Sequence, residues 1–158
     1  MDYRLLPVVV GSIEAFLIHY TNDFDGVVVD QKKQLKTFPA REQAETFAGS
    51  RGWALGEDHE PLDLDALARF CEKPEPLDCP LLYRAWNLFG DACRSLDLEF
   101  IGYEDSYLDL HEELFWACGF EGVVSSEAEF TSSELEKLQE VVRSGLDLWS
   151  AQVKGCAA

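Results

Sequence analysis

The amino-acid sequence predicts an α+β fold, in which a small N-terminal antiparallel sheet with one helix precedes a mostly helical C-terminal half and shares one core with it. Short apolar runs rich in β-branched and aromatic residues occupy the segment from Leu5 to Phe38. Apolar residues recur at helical spacing between Leu82 and Leu96. A capping box, Thr131-Ser-Ser-Glu134, opens a final helix.

The length of the chain favours one domain. With 158 residues and 47% hydrophobic content, the chain can build one packed core. We predict a single domain over residues 1–158, with an N-terminal α/β part of about residues 1–72 and a helical part of about residues 78–153.

The apolar runs of the first third predict a sheet. Strands are expected at Leu5–Val10, Ile13–Tyr20, Val27–Asp30, Leu35–Phe38 and Trp53–Leu55. Gly11-Ser12 is expected to turn the chain between the first two strands, and the cluster TNDFDG at 21–26 between the second and third, as in an antiparallel meander. The same cluster matches part of a calcium loop, but Lys32 stands where a bidentate Glu is required, so a turn is the better interpretation.

Caps and glycines predict where the helices begin and end. Helices are expected over residues 40–50, 64–71, 78–96, 105–118 and 131 to about 153. Asp63 and Asp78 have side chains that can cap the second and third helices, and Gly119 follows the fourth. The segment from Lys73 to Pro76 is expected to be a stiff linker.

The net charge of -17 is concentrated in the middle of the chain. Residues 56–130 carry nineteen acids and four bases, a net -15, whereas each flanking part has a net charge of -1. The aromatic content of 12% argues against disorder, so the charge belongs to a folded surface. Such a surface repels nucleic acid and anionic lipid and attracts basic proteins, although simple solubility is the alternative explanation.

The cysteines and the N-terminus bear on the compartment. Five cysteines with no close pair are typical of reduced thiols, and we expect a cytoplasmic protein. Pro7, Gly11 and Glu14 interrupt the apolar N-terminus, so neither a signal peptide nor a membrane span is expected there.

The fourth predicted helix carries the strongest functional signal. The stretch from Leu96 to Trp116 contains seven acids and no Lys or Arg. At 100° per residue, four acids and a tryptophan lie on one face of the helix, whereas its aliphatic residues lie on the other. The residues on the acidic face are Asp105, Asp109, Glu112, Glu113 and Trp116. An exposed tryptophan surrounded by carboxylates suits the binding of a basic protein, whereas a buried Trp116 would leave only a solvated acidic face.

The motifs of common enzymes and metal sites do not occur. His111-Glu112 resembles half of a zinc-protease motif, but Phe115 stands where the second His is needed. His111 is therefore interpreted as a core residue. The sequence has no nucleophile elbow, phosphate-binding loop or dinucleotide fingerprint, so we expect no catalytic residue, no metal and no cofactor.

Two segments carry a resemblance to a known family. The segments LLYRAWNLFGDAC, 81–93, and DLHEELFWACGFEGVVSSEAEFTSSELEKLQEVVRSGLDLW, 109–149, resemble the C-terminal half of bacterial toxin-immunity proteins of contact-dependent growth inhibition systems. The resemblance implies a cytoplasmic inhibitor that binds one cognate toxin domain. Many such toxins are nucleases, whose basic substrate-binding surfaces would suit an acidic inhibitor.

We therefore predict an immunity protein, or antitoxin, that neutralises a basic and possibly nuclease toxin domain. The alternatives are an acidic nucleic-acid mimic or regulatory protein-binding module and, less favoured, a carboxylate-dependent enzyme. We expect no direct binding of nucleic acid or membrane, and the oligomeric state stays open. The predicted partner-binding residues are Tyr103, Glu104, Asp105, Asp109, Glu112, Glu113 and Trp116, with Glu57, Asp58 and Glu60 as a second patch.

Overall fold

A four-stranded mixed sheet forms the N-terminal part of the protein. The computed structural model describes residues 1–74, 77–117 and 130–157, with side chains described through Val153. The strands are β1 (Asp2–Val10), β2 (Ile13–Thr21), β3 (Asp25–Val27) and β4 (Leu62–Asp63), in the spatial order β3-β2-β1-β4. The pairs β1–β2 and β2–β3 are antiparallel, whereas β4 runs parallel to β1.

The turn between β1 and β2 is confirmed at Gly11-Ser12. Both residues have positive φ, 60° and 62°, as in a two-residue hairpin turn whose twist matches that of the strands. The Asp65 carboxylate accepts hydrogen bonds from both backbone N–H groups, at 2.7 and 3.0 Å. A side chain more than fifty residues away therefore stabilises the turn.

The third strand and the turn before it differ from the prediction. Thr21 belongs to β2 and Asp25 begins β3, so only residues 22–24 lie between the strands. Gly26 lies within β3, paired with Tyr20. The Tyr20 side chain crosses it so closely that an added Cβ would overlap the phenol oxygen. Asp25-Gly26 therefore marks a close approach of a side chain and not the end of a turn.

Two other predicted strands are reduced to isolated bridges. Residues 35–38 form only the isolated bridges Val29–Leu35 and Phe16–Phe38. Before them, the Asp30 carboxylate accepts hydrogen bonds from the backbone N–H groups of Lys32 and Gln34 and closes a tight turn. The strand predicted at residues 53–55 is wrong, since only Leu55 makes a bridge, to Tyr3. The strand that extends the sheet is β4, whose parallel pairing makes the sheet mixed and not purely antiparallel.

All five predicted helices are present. They are α1 (Arg41–Ser50), α2 (Leu64–Glu72), α3 (Cys79–Ser95), α4 (Asp105–Ala117) and α5 (Ser132–Ala157), and a 3-10 turn spans Ile101–Tyr103. The predicted caps form: the carboxylates of Asp63 and Asp78 accept from backbone N–H groups of their helices at 3.0 and 3.1 Å. The reciprocal hydrogen bonds of Thr131 and Glu134 are 2.9 and 3.1 Å long.

Two sequence-based predictions fall partly outside the described residues. The stiff linker includes Glu75 and Pro76, and the predicted end of α4 includes Cys118 and Gly119. None of the described helices has an apolar stretch long enough to cross a bilayer.

The sheet lies between helices. Because side chains of a strand alternate between faces, Ala15 and Leu17 of β2 enter the main core with α2, α3 and α5. Phe16 and Ile18 point the other way, into a smaller cluster beneath α1. The predicted α+β class is confirmed, with the sheet and the C-terminal helices sharing the main core.

Helix α3 lies at the centre of that core. Its Phe89 is fully buried and packs edge-on against Trp149 of α5, with ring centroids 5.8 Å apart. Gly145 of α5 faces the Phe89 ring so closely that an added Cβ would overlap three ring atoms. The lack of a side chain at Gly145 therefore permits the close approach of the two helices.

Candidate protein-binding surface

Helix α4 is held against its neighbours by its apolar face. Tyr107, Leu110 and Leu114 are buried in the main core, as the helical period predicts. The Tyr107 hydroxyl donates a 2.6 Å hydrogen bond to a Glu140 carboxylate oxygen of α5, and this bond together with burial raises the pKa of Tyr107 to about 12. The orientation of α4 about its own axis is therefore determined by packing.

Aromatic and polar contacts also join α4 to α3. His111 is half-buried, and its Nε2–H donates to the Asn87 side-chain oxygen at 2.9 Å, while burial lowers the pKa of His111. Tyr83 packs against His111 and Phe115, with ring centroids 5.2 and 5.6 Å away. The prediction that His111 serves packing is consistent with these contacts.

The outward face of α4 and the residues before it form what we call the acidic–aromatic surface. Trp116 is 63% exposed and Tyr103 is 46% exposed. Every residue of this surface is exposed: Tyr103, Glu104, Asp105, Asp109, Glu112, Glu113 and Trp116. Leu108 is exposed as well, one turn before Glu112, a feature that the sequence analysis did not single out.

None of the bases that the structure describes forms an ion pair with the carboxylates of this surface. Among the described residues, no Lys or Arg nitrogen lies within 4.0 Å of the carboxylates of Glu104, Asp105, Asp109, Glu112 or Glu113. The nearby Lys137 instead donates to the Ser106 carbonyl and lies over the Tyr107 ring. The surface therefore presents an uncompensated negative field.

Glu113 meets a second carboxyl group at the start of α5. A hydrogen bond with Glu134 raises the pKa of Glu113 and lowers that of Glu134. The backbone N–H of Thr131 also donates to Glu134, which favours the ionised form of that residue. The α5 capping box thus extends the acidic surface beyond α4.

Tyr103 is held in place by α3. Its ring lies directly over Gly90, where an added Cβ would overlap it, and its hydroxyl is 3.3 Å from Arg94 Nη2. Burial raises the pKa of Tyr103. The Arg94 guanidinium also lies 5.5 Å from the centre of the Phe24 ring, so two exposed aromatic rings flank one arginine.

The predicted second patch is more balanced in charge than the sequence suggests. The Asp58 carboxylate forms a 2.5 Å ion pair with Arg41, whose pKa the hydrogen bond raises. Arg4 donates to the backbone carbonyls of Glu57 and Asp58, and Arg84 donates to that of Glu60. Three arginines therefore lie among the three acids, and this loop contributes less negative field than α4.

A polar cluster that contains none of the predicted residues lies next to Tyr103, on the other side of Arg94. His19 of β2 and Asp91 of α3 are only 5% and 8% exposed, and Nε2 of His19 donates to Asp91 Oδ2 at 2.9 Å. His59 Nε2 lies 3.2 Å from the other His19 nitrogen, and burial followed by the neighbouring His19 lowers the pKa of His59 to about 4. Asp25 completes the cluster, because its carboxylate lies within 4.8 Å of the donor atoms of His19 and Asp91.

The sequence contains a signal for this cluster. His19 takes the inward position in the alternation Ala15, Leu17, His19, and Asp91 interrupts an apolar helical stripe. A polar side chain at a core position requires a polar partner. Neither His19 nor Asp91 is among the predicted site residues, because the strand and the helix were predicted from the apolar members of the two patterns.

Comparison of the chain with models of protein families, with curated proteins and with solved structures finds no match.

Proposed function

We propose that the protein is an inhibitor of the immunity type, which binds the basic surface of a partner protein through its acidic–aromatic surface. One observation carries the proposal: an exposed tryptophan shares the outward face of α4 with four carboxylates that form no ion pair with a described base, and α4 is fixed by its packing. Charge alone would be explained by solubility. The aromatic side chain is the part that solubility does not explain.

The dimensions of the surface suit a protein partner. At 1.5 Å per residue, the thirteen residues of α4 extend about 20 Å. An exposed aromatic anchor surrounded by charges is the arrangement found at the centre of many protein interfaces. The carboxylates accelerate encounter with a basic partner, while the tryptophan slows dissociation.

The partner that fits this chemistry is a protein with an exposed basic groove. Enzymes that bind nucleic acid need such a groove for phosphates, and an acidic helix lying in it would exclude the substrate. The resemblance to immunity proteins makes a toxin domain the favoured partner. Inhibition would then follow from occupation of the groove, without any chemical step.

The test compares two double charge reversals of equal size. Asp109→Lys with Glu112→Lys reverses two acids on α4, and Glu42→Lys with Glu45→Lys reverses two exposed acids at the same spacing on α1. The two variants change the net charge equally. Because α1 covers the opposite face of the sheet, only the first variant alters the acidic–aromatic surface. The wild type and both variants serve as baits for affinity capture from cells that express the chain.

The captured protein is then expressed, and its dissociation constant and activity are measured with each bait. Converting two exposed ion pairs from attraction to repulsion costs roughly 1–4 kcal/mol, or about fivefold to a thousandfold in affinity. We expect a basic partner whose activity is inhibited by the wild type and by the α1 variant but poorly by the α4 variant. Equal binding by the two variants, or a partner without a basic surface, would contradict the proposal.

A further inference from the structure

We propose that His19, Asp25 and Asp91 form a binding site for one first-row divalent metal ion, with Zn²⁺ as the best-fitting ion. None of the three residues belongs to the acidic–aromatic surface, although Arg94 contacts both the site and Tyr103 of that surface. The proposal does not rest on the function proposed for that surface. Its three donor atoms come from β2, β3 and α3 and lie within 4.8 Å of one another.

Strand register brings two of these side chains to the same face. In the antiparallel pair, His19 is opposite Val27 and Thr21 is opposite Asp25. Residues directly opposite one another share a face, as do alternate residues of one strand, so Asp25 and His19 point to the same side. That side also carries Leu17 and packs against α3, the helix that supplies Asp91.

The contacts around the donors match those that orient metal ligands. Asp91 Oδ2 faces His19, whereas Oδ1 lies 3.8 Å from Arg94 Nη1. The same Arg94 nitrogen donates to the Asp25 backbone carbonyl at 3.0 Å, so one guanidinium positions both acidic residues. His59 lies against His19 Nδ1, the nitrogen that would carry a proton when Nε2 binds a metal. Outer partners of this kind set the tautomer and direction of ligands.

The spacing suits a small ion after a modest contraction. Zn²⁺ binds nitrogen and oxygen ligands at about 2.0–2.2 Å, which puts tetrahedral donors about 3.4 Å apart. Closing the cluster from a spread of at most 4.8 Å requires movement of about an ångström. On binding, Oδ2 of Asp91 and Nε2 of His19 would exchange their mutual hydrogen bond for bonds to the ion, and the Nε2 proton would move to Nδ1, which faces His59.

The donor set selects the class of ion. One imidazole nitrogen and two carboxylate oxygens suit first-row metals such as Zn²⁺ and Mn²⁺, whereas Ca²⁺ prefers six to eight oxygens. Three protein ligands leave one position open for water or another small ligand. A divalent ion would also compensate two neighbouring carboxylates, one of them buried, more fully than the single charge of Arg94.

The test measures metal binding to the whole chain after removal of metals with a chelator. Zn²⁺ is titrated calorimetrically at about 0.5 M NaCl, which screens weak binding to the acidic surface. The variant is Asp25→Asn, and the matched control is Asp23→Asn, an exposed aspartate two residues away. We expect one Zn²⁺ per chain for the wild type and the control, and affinity about tenfold or more lower for Asp25→Asn.

A spectroscopic measurement tests the site without any variant. Co²⁺ bound by one His and two carboxylates gives ligand-field bands in the visible range. Ligation by cysteine would add a sulfur-to-cobalt charge-transfer band, which is not expected here. Absence of stoichiometric binding in the wild type, a thiolate signature, or equal affinity of Asp25→Asn and Asp23→Asn would each overturn the proposal. In those cases the hydrogen bond between His19 and Asp91 and the contacts of Arg94 hold the three residues together without a metal.

Discussion

The packing of α3 on α5 predicts that one substitution, Gly to Ala, has opposite effects at two helical positions. At Gly145 an added Cβ would lie under 3.0 Å from three atoms of the Phe89 ring. Phe89 is fully buried and packs against Trp149, so its ring has little room to move. At Gly49, near the end of α1, an added Cβ would meet nothing within 4 Å.

The expected magnitudes follow from these two environments. Overpacking a core costs about 1–3 kcal/mol, and overlap with three ring atoms favours the upper part of that range. Replacing Gly by Ala in a helix by itself raises the free energy of unfolding by about 1 kcal/mol. Gly145→Ala should therefore lose about 1–2 kcal/mol and lower the melting temperature by about 2–8 °C, whereas Gly49→Ala should gain about 0.5–1 kcal/mol.

Thermal and urea unfolding followed by circular dichroism measure both effects. A Phe89→Leu substitution provides a further check, because shortening the ring makes space for the new methyl group. The double variant Phe89→Leu with Gly145→Ala should be more stable than the sum of the single losses indicates. Overlap between residue 145 and the Phe89 ring is contradicted if Gly145→Ala is as stable as the wild type, or if the two substitutions combine additively.

Three further predictions concern the supports of α4 and the helix caps. Tyr107→Phe removes the hydrogen bond to Glu140 and should cost about 1 kcal/mol at neutral pH; because the Tyr107 pKa is raised to about 12, this contribution is present below pH 10 and lost as the pH rises through 12. Glu113→Gln should raise the free energy of unfolding by about 0.2–0.5 kcal/mol at pH 7. The raised pKa of Glu113 means that its hydrogen bond with Glu134 stabilises the protein when Glu113 is protonated, at low pH, and that the two ionised carboxylates repel each other at pH 7. The gain should vanish below pH 4.5, and an equal gain at both pH values would contradict the pairing. Asp78→Ala should cost about 1 kcal/mol through loss of the α3 cap, and unchanged urea unfolding would show that the cap contributes nothing.

The helices could be predicted because their signals are local. Asp63, Asp78 and the Thr131–Glu134 box each bond to backbone within three residues, so a short stretch of sequence contains both partners. Helical periodicity likewise sorted α4 into buried and exposed faces. The exposure of Trp116, on which the binding hypothesis depends, agrees with its calculated place on the acidic face.

The sheet was harder to predict because its details depend on distant residues. β4 has only two residues, and nothing in Leu62-Asp63 alone indicates a parallel pairing with β1. The role of Gly26 depends on Tyr20, which crosses it from the neighbouring strand.

Electrostatic neutralisation and side-chain clusters also depend on the fold. In the sequence, Asp58 is one of three acids in a predicted loop. In the structure, Arg41, seventeen residues earlier, forms an ion pair with it. His19, Asp25 and Asp91 are brought together only when α3 packs on β2 and β3. Spacing rules for metal motifs concern ligands that are close in sequence, and they do not detect such a cluster.

The central claim, that the acidic–aromatic surface is a specific binding site, is tested most directly at Trp116. The measurement is the dissociation constant of Trp116→Ala, relative to the wild type, for the basic protein recovered by capture. Because an anchoring tryptophan is worth about 2 kcal/mol or more, we expect affinity about thirtyfold weaker, while Ile13→Ala, an exposed apolar residue at the start of β2, binds as the wild type does. A change of less than about twofold for Trp116→Ala would show that α4 is only a solvated acidic face.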